Sequence, residues 1–224
     1  MTPGVLSDAD LVRVFEMGEA AGPLGRAAAL VGALQPDMDV NALELGDRDR
    51  LIWTFKRAQF GRGTQMMAKA ECAGCGEWVS LDLGAGFDLP AKTSNTVTVE
   101  WQGQDWSLRL PRQGDLAGAS CGFPFAALNP DAPWDSDGFA DAAEKAIDAA
   151  DPGIDVVFDI ACPDCGAVTP CAFDAIGFVW RDIEALALRL FSEVATLARA
   201  FGWSEAETLR LTPRRRARYV EMVT

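Results

Sequence analysis

Cys72-x-x-Cys75-Gly and Cys162-x-x-Cys165-Gly, written CAGCG and CPDCG in the chain, are two matching half-sites. A Cys-x-x-Cys turn points backbone amides at its sulfurs, and the glycine after the second cysteine takes the backbone conformation that the turn demands. Two such turns brought together supply four thiolates in a tetrahedron, the arrangement that Zn²⁺ prefers. Cys72, Cys75, Cys162 and Cys165 are therefore read as ligands of a structural zinc ion. A closed set of four sulfurs leaves no position for water or substrate, so such a site stabilises the fold rather than activating a reactant. About 85 residues separate the half-sites, against the roughly 15–20 of a compact zinc ribbon. Loop-closure cost grows only logarithmically with length, so a ribbon with an expanded middle is compatible with the spacing.

Other thiol chemistry fits less well. A rubredoxin-like iron site uses the same knuckles and stays open as an alternative; it would make the chain an electron carrier. Structural disulfides are disfavoured in an acidic chain with no secretion signal. A redox Cys-x-x-Cys expects one exposed motif at a helix start, not two between strands. Cys121 and Cys171 read as small buried hydrophobes, with Cys171 a rival for the fourth ligand place. The chain has no histidine, which removes Ser-His-Asp and Cys-His nucleophile pairs and any imidazole base. Carboxylates are plentiful, but nothing fixes a pair at catalytic separation, and LGAGF lacks the lysine of a phosphate-binding loop. A non-enzymatic role is expected.

The elements that must position these cysteines follow from the periodicity. Residues 1–65 read as a helical segment: Ser7 as N-cap before Leu11, Val14 and Phe15, a helix over about Leu24–Leu34, and a third with Asp47 as N-cap and Gly61 as stop. Residues 66–177 change period. MMAKAEC and EWVSLDL read as strands flanking the first knuckle, and IDVVFDIA and VTPCAF as strands around the second. Between them, TVTVEW and DWSLRL alternate around Gln-Gly as a hairpin, and FADAAEKAIDAA is a short helix. Residues 178–224 are helical again, with an amphipathic stripe from Phe178 to Phe201, a Ser204/Glu207 capping box and a Thr212-Pro213 helix start. The expected fold class is α+β: a zinc-ribbon-like β core with a long insertion between the knuckles, flanked by helices. The knuckles are the one internal repeat.

Composition narrows the partners. The formal net charge is −13, which repels nucleic acid and anionic membranes. No apolar run reaches the roughly 18–20 residues of a membrane span, and the N-terminus lacks a signal peptide's basic and apolar regions, so a cytoplasmic protein is expected. Arg214, Arg215, Arg216 and Arg218 form a local exception to the acidity. They read as a solvated or partner-docking helix face, with a zinc-ribbon regulator binding nucleic acid kept as the alternative. Of the tryptophans, Trp101 and Trp106 read as core, whereas Trp134 and Trp203 lie between elements and are interface candidates.

The order of motifs resembles a known family, the contractile-tail baseplate hub assembly chaperones related to the T-even phage baseplate protein. LELGDRDRLIWTFKRAQFG (43–61), CAGCG, WSLRLPRQGDL (106–116), DPGIDVVFDIACPDCG (151–166) and the stretch from FVWRDIEALALRL to RRRARYVEMV (178–223) carry the resemblance, with Phe173 between. GWSEAE followed by RRRARY is its most specific part. The resemblance implies a non-enzymatic role in assembling the hub beneath a contractile tail tube. It also implies hub, baseplate and tape-measure proteins as partners, in myophage-like tails or contractile injection systems.

Overall fold

A computed structural model describes residues 4–61, 67–84, 86–117 and 124–224. Ser7 caps α1 (Asp8–Gly18) by accepting from the Asp10 amide, and Pro23 opens α2 (Pro23–Leu34). Helix α3 (Leu45–Phe60) starts earlier than its sequence suggests. Its N-cap is Glu44, not Asp47. Asp47 lies inside the first turn, where its carboxylate accepts from Arg50 at 2.8 Å and from Lys92 at 2.8 Å. Burial alone would raise Asp47, but these hydrogen bonds outweigh it and hold the carboxyl below its usual range.

The long C-terminal helix α5 (Ala175–Phe201) begins three residues before Phe178, because Asp174 accepts from the Gly177 amide at 2.9 Å and caps it. The apolar faces of α1, α2, α3 and the first half of α5 meet in one core, built on Leu11, Phe15, Leu30, Ile52, Phe55, Val179 and Ile183. Each fully buried aliphatic or aromatic side chain contributes about 1.5–3 kcal/mol. The beginning and end of the chain thus share a core, and the cysteine-bearing hairpins sit beside it.

The strands pair as three separate two-stranded antiparallel hairpins: β1 (Met67–Glu71) with β2 (Trp78–Asp82), β3 (Thr96–Trp101) with β4 (Gln104–Arg109), and β5 (Val157–Ala161) with β6 (Val168–Ala172). Gln102 and Gly103 both have positive φ, 53° and 80°, which makes the β3–β4 turn one that matches strand twist. Val97, Val99 and Leu108 on its inner face pack on Phe139, Ala143 and Ile147 of α4 (Phe139–Ala150). Trp101 and Trp106 meet the same Phe139 ring at 5.8 and 6.4 Å. The architecture is a mixture of helices and small antiparallel sheets.

A polar knot joins the parts. Asp151, which has no exposed surface, accepts from both terminal nitrogens of Arg50 at 2.6 and 2.8 Å. Arg50 also donates to the Pro90 carbonyl, and Lys92 reaches Glu44 at 2.7 Å. One guanidinium therefore ties α3 to the exit of α4 and to the strand-free segment before β3. A buried charge so fully paired is costly to remove singly.

Candidate metal centre

Each knuckle closes in the same way. The Cys72 amide donates to the Glu77 carbonyl at 2.8 Å and the Gly76 amide to the Cys72 carbonyl at 2.9 Å; Cys162–Ala167 and Gly166–Cys162 repeat both bonds at the same lengths. Gly76 and Gly166 hold φ of 76° and 73°, a left-handed conformation that a side chain would strain. The hairpins themselves are in the same register. Ala70 faces Val79 in the first and Ile160 faces Thr169 in the second, an offset of 90 residues that holds along the whole ladder. The repeat legible as two five-residue motifs is a duplicated hairpin.

The two hairpins meet with β1 beside β6 and β2 beside β5, an approximate twofold. This brings Cys72, Cys75, Cys162 and Cys165 together, their sulfurs all within 4.8 Å of one another. The closest pairs cross between hairpins: Cys72 to Cys165 at 3.5 Å and Cys75 to Cys162 at 3.7 Å. A tetrahedral zinc site with Zn–S bonds of about 2.3 Å has sulfur–sulfur edges of about 3.8 Å, so the donor set fits such an ion. Cys72 and Cys162 are buried, Cys75 and Cys165 exposed, and none is in a disulfide. Among the described residues, this is the one group of three or more cysteine, aspartate or glutamate side chains gathered closely enough to hold a metal.

The electrostatics suit a thiolate site. Backbone hydrogen bonds from the Cys75 and Gly74 amides pull the Cys72 thiol down to about 6. The Glu77 amide also draws Cys75 down, but the Cys72 sulfur, burial and the sulfurs of Cys162 and Cys165 outweigh it and push Cys75 up to about 12. Cys165 behaves likewise: the Ala167 amide lowers it, while Cys72, burial and Cys162 leave it raised. The backbone amides thus favour the thiolate at Cys72, while the neighbouring sulfurs disfavour further thiolates at Cys75 and Cys165. A bound dication replaces the thiol protons and satisfies all four sulfurs.

Beneath the sulfurs lies an aromatic floor. Trp53 of α3 is fully buried, donates from Nε1 to the Phe87 carbonyl at 3.3 Å, and meets the Phe173 ring at 5.0 Å. Phe87, Phe158 and Phe178 complete the cluster. This floor is the part that motif reading missed. Its members come from four separate segments, and only the period-two placement of Phe158 beside Ile160 hinted at it.

The remaining candidates divide. Cys171 is half-buried and occupies the ladder position matched by Leu81, two residues past the matched pair Val79 and Thr169. It sits outside the four-sulfur group. Cys121 lies outside the described residues. Trp134 is half-buried, donates to the Asn129 carbonyl at 2.7 Å and stacks its edge on Phe139, so it belongs to the β3–β4 core. Arg214, Arg215 and Arg218 are exposed. Arg216 corrects the expectation of a uniform solvent face: it is 1% exposed and pairs with Glu193 at 2.5 Å and Asp8 at 2.6 Å. On α7 (Pro213–Glu221), which follows α6 (Glu205–Leu209), the helical turn of about 100° per residue sends position 216 inward and 214 and 218 outward. Trp203 is half-buried against Phe201 and Tyr219.

No protein-family model, curated protein or solved structure matches this chain. Among the described residues, no helix is long and apolar enough to cross a membrane.

Proposed function

We propose that the chain is a metal-stapled, non-enzymatic binding protein, in which Cys72, Cys75, Cys162 and Cys165 hold one structural zinc ion in a zinc-ribbon-like centre. The observation that carries this reading is the crossing of the two duplicated knuckles, with sulfur pairs at 3.5 and 3.7 Å and two of the four cysteines buried. Zinc would neutralise the thiolates and fasten one hairpin to the other, and the closed donor set offers no vacancy for a reactant. Elemental analysis of protein purified without chelator tests it, with about one zinc per chain expected. Absence of any bound metal would remove the zinc reading, and a red, iron-loaded protein would favour the electron-carrier reading instead.

The biological setting we assign is assembly of a contractile-tail baseplate hub, in the cytoplasm where tails are built. Its support is the ordered set of motifs from residue 43 to residue 223. Hub, baseplate and tape-measure proteins are the partners this reading names. Co-purification of a hub protein from a lysate of cells expressing the tail genes is the expected result. A chain encoded away from sheath, tube and baseplate genes, and retaining no tail protein, would overturn this setting without touching the metal site.

A further inference from the structure

The C-terminal end of the molecule reverses the charge of the rest. Residues 199–221 carry six arginines against three glutamates, in a chain whose net charge is −13. Arg216 is consumed internally, pinning α7 to α1 through Asp8 and to α5 through Glu193. It fixes the orientation of the helix and so determines which of its neighbours face outward. Arg214 and Arg218 are exposed, and Arg218 pairs with Glu221 at 3.3 Å with both side chains well exposed. Such a pair holds little energy and is easily exchanged for a better partner.

Beside these cations stands a three-ring cluster. Phe201 and Trp203 stack at 4.8 Å, Tyr219 meets Trp203 edge-on at 4.9 Å, and the Arg215 guanidinium lies 5.8 Å from the Tyr219 ring centre. Phe201 remains 41% exposed, and Met222 is 73% exposed one turn beyond. Aromatic rings, arginines and methionine are residue types enriched at binding interfaces.

We propose that this face of α7 and the α5–α6 junction docks an acidic protein segment bearing apolar or aromatic side chains, with Arg214, Arg215 and Arg218 pairing its carboxylates and the Phe201–Trp203–Tyr219 cluster receiving its apolar groups. The proposal deepens the reading of the chain as a partner-binding protein and rests on it. Charge complementarity selects the occupant: a positive end on a strongly negative body orients and attracts an anionic partner. Protein is favoured over nucleic acid on two counts. The Phe201 and Trp203 rings already stack on each other rather than offering open platforms for bases. The remainder of the chain also repels a long polyanion.

The test uses the full-length, zinc-loaded chain and a fluorescein-labelled 15-residue peptide alternating Asp and Glu with Leu and Trp. The same peptide with Lys in place of the acids, and a 20-nucleotide oligothymidine, complete the set. Anisotropy titration is expected to give saturable binding of the acidic peptide alone. The combined change Arg214→Glu, Arg215→Glu, Arg218→Glu should weaken it at least tenfold, and Tyr219→Ala several-fold. Zinc content and far-ultraviolet circular dichroism should remain unaltered, which separates a failed docking face from a failed metal site. Should the triple variant not fold, Arg214→Gln with Arg218→Gln, which changes only the outward pair, carries the test and should weaken binding about threefold or more. Equal affinity for the Lys peptide, tighter binding of oligothymidine, or undiminished binding by the folded variants would overturn the proposal. Retention of a hub protein by the triple variant would overturn it as well, while leaving the tail setting intact.

Discussion

The knuckle hairpins and the β3–β4 hairpin are built from strands of similar length, yet they are held together by different means. β3–β4 turns a full inner face, Val97, Val99 and Leu108, onto Phe139 and Ile147 of α4. It needs nothing further, since an antiparallel pair with one face against a helix can bury enough apolar surface. The knuckle hairpins pack instead on the aromatic cluster of Trp53, Phe87, Phe173 and Phe178, burying Cys72, Val79, Ile160, Cys162 and Thr169 and leaving Trp78, Val157 and Val168 substantially exposed. On the metal-bound reading proposed above, an ion held by the four sulfurs would add a direct fastening between these two hairpins. On that reading, four sulfurs would do between the two knuckle hairpins what Phe139 and the amphipathic α4 do for the β3–β4 hairpin.

The largest expected effect comes from removing a sulfur. Cys72→Ser and Cys162→Ser should each abolish stoichiometric metal binding and destabilise the protein by on the order of 4 kcal/mol, measured by elemental analysis and denaturant melts. The approximate twofold places the two positions alike, so retention of stoichiometric metal by either variant would remove that cysteine from the ligand set. Phe139→Ala should remove about 3 kcal/mol by opening a cavity at the centre of the other hairpin, with metal content unchanged. Metal loss in that variant would mean that the two regions fold as one unit.

A smaller effect belongs to the ion pair that closes β4. Arg109 grips Asp115 at 2.6 and 2.8 Å, and the Arg112 amide adds a third bond. Burial tends to raise Asp115, but these bonds outweigh it and leave its carboxyl lowered from 3.8. A carboxyl lowered in the folded state stabilises above its unfolded value, and that contribution is lost as pH falls through the folded value. Asp115→Asn should therefore cost roughly 1.5 kcal/mol at pH 7 and progressively less below about pH 4, read as the wild-type minus variant difference in urea melts.

Two finer changes probe the asymmetry between the duplicated hairpins. Thr169 Oγ1 accepts from the Ala73 amide at 3.1 Å. The mirrored bond cannot form, because Pro163 stands where an amide would be needed and Val79 where the hydroxyl would be. Thr169→Val should cost about 1 kcal/mol, and no such loss should follow a change at Val79 that preserves its volume. Cys171→Leu, which copies Leu81 from the first hairpin, should shift stability by less than about 0.5 kcal/mol and leave metal content at one per chain. A drop in metal content would instead make Cys171 a ligand.

Much of this was legible in the residues themselves. Two Cys-x-x-Cys-Gly motifs between strand patterns pointed to a tight turn ending on a left-handed glycine, which Gly76 and Gly166 adopt. Ser7, Ser204 and Thr212 announced helix starts because a hydroxyl oxygen at an N-cap satisfies amides within its own turn. Alternation around Gln102-Gly103 determined the β3–β4 register for the same reason: the interactions are local. Helix α3 starts at Leu45 rather than after Asp47, and both Glu44 and Asp47 are engaged by Lys92, 48 and 45 residues away, a pairing that no local pattern records.

What lies far apart in the chain was decided only by the tertiary structure. That the knuckles cross, so that Cys72 neighbours Cys165 and Cys75 neighbours Cys162, follows from how two hairpins pack about a twofold, and the spacing within each motif carries no information on it. The same holds for Arg216. Its neighbours in the arginine run are identical in type, and only the packing of α7 against Asp8, 208 residues away, turns one of them from a surface charge into an internal brace. Short-range hydrogen bonding is written in adjacent residues; the pairing of distant charges and sulfurs depends on which faces the core brings together.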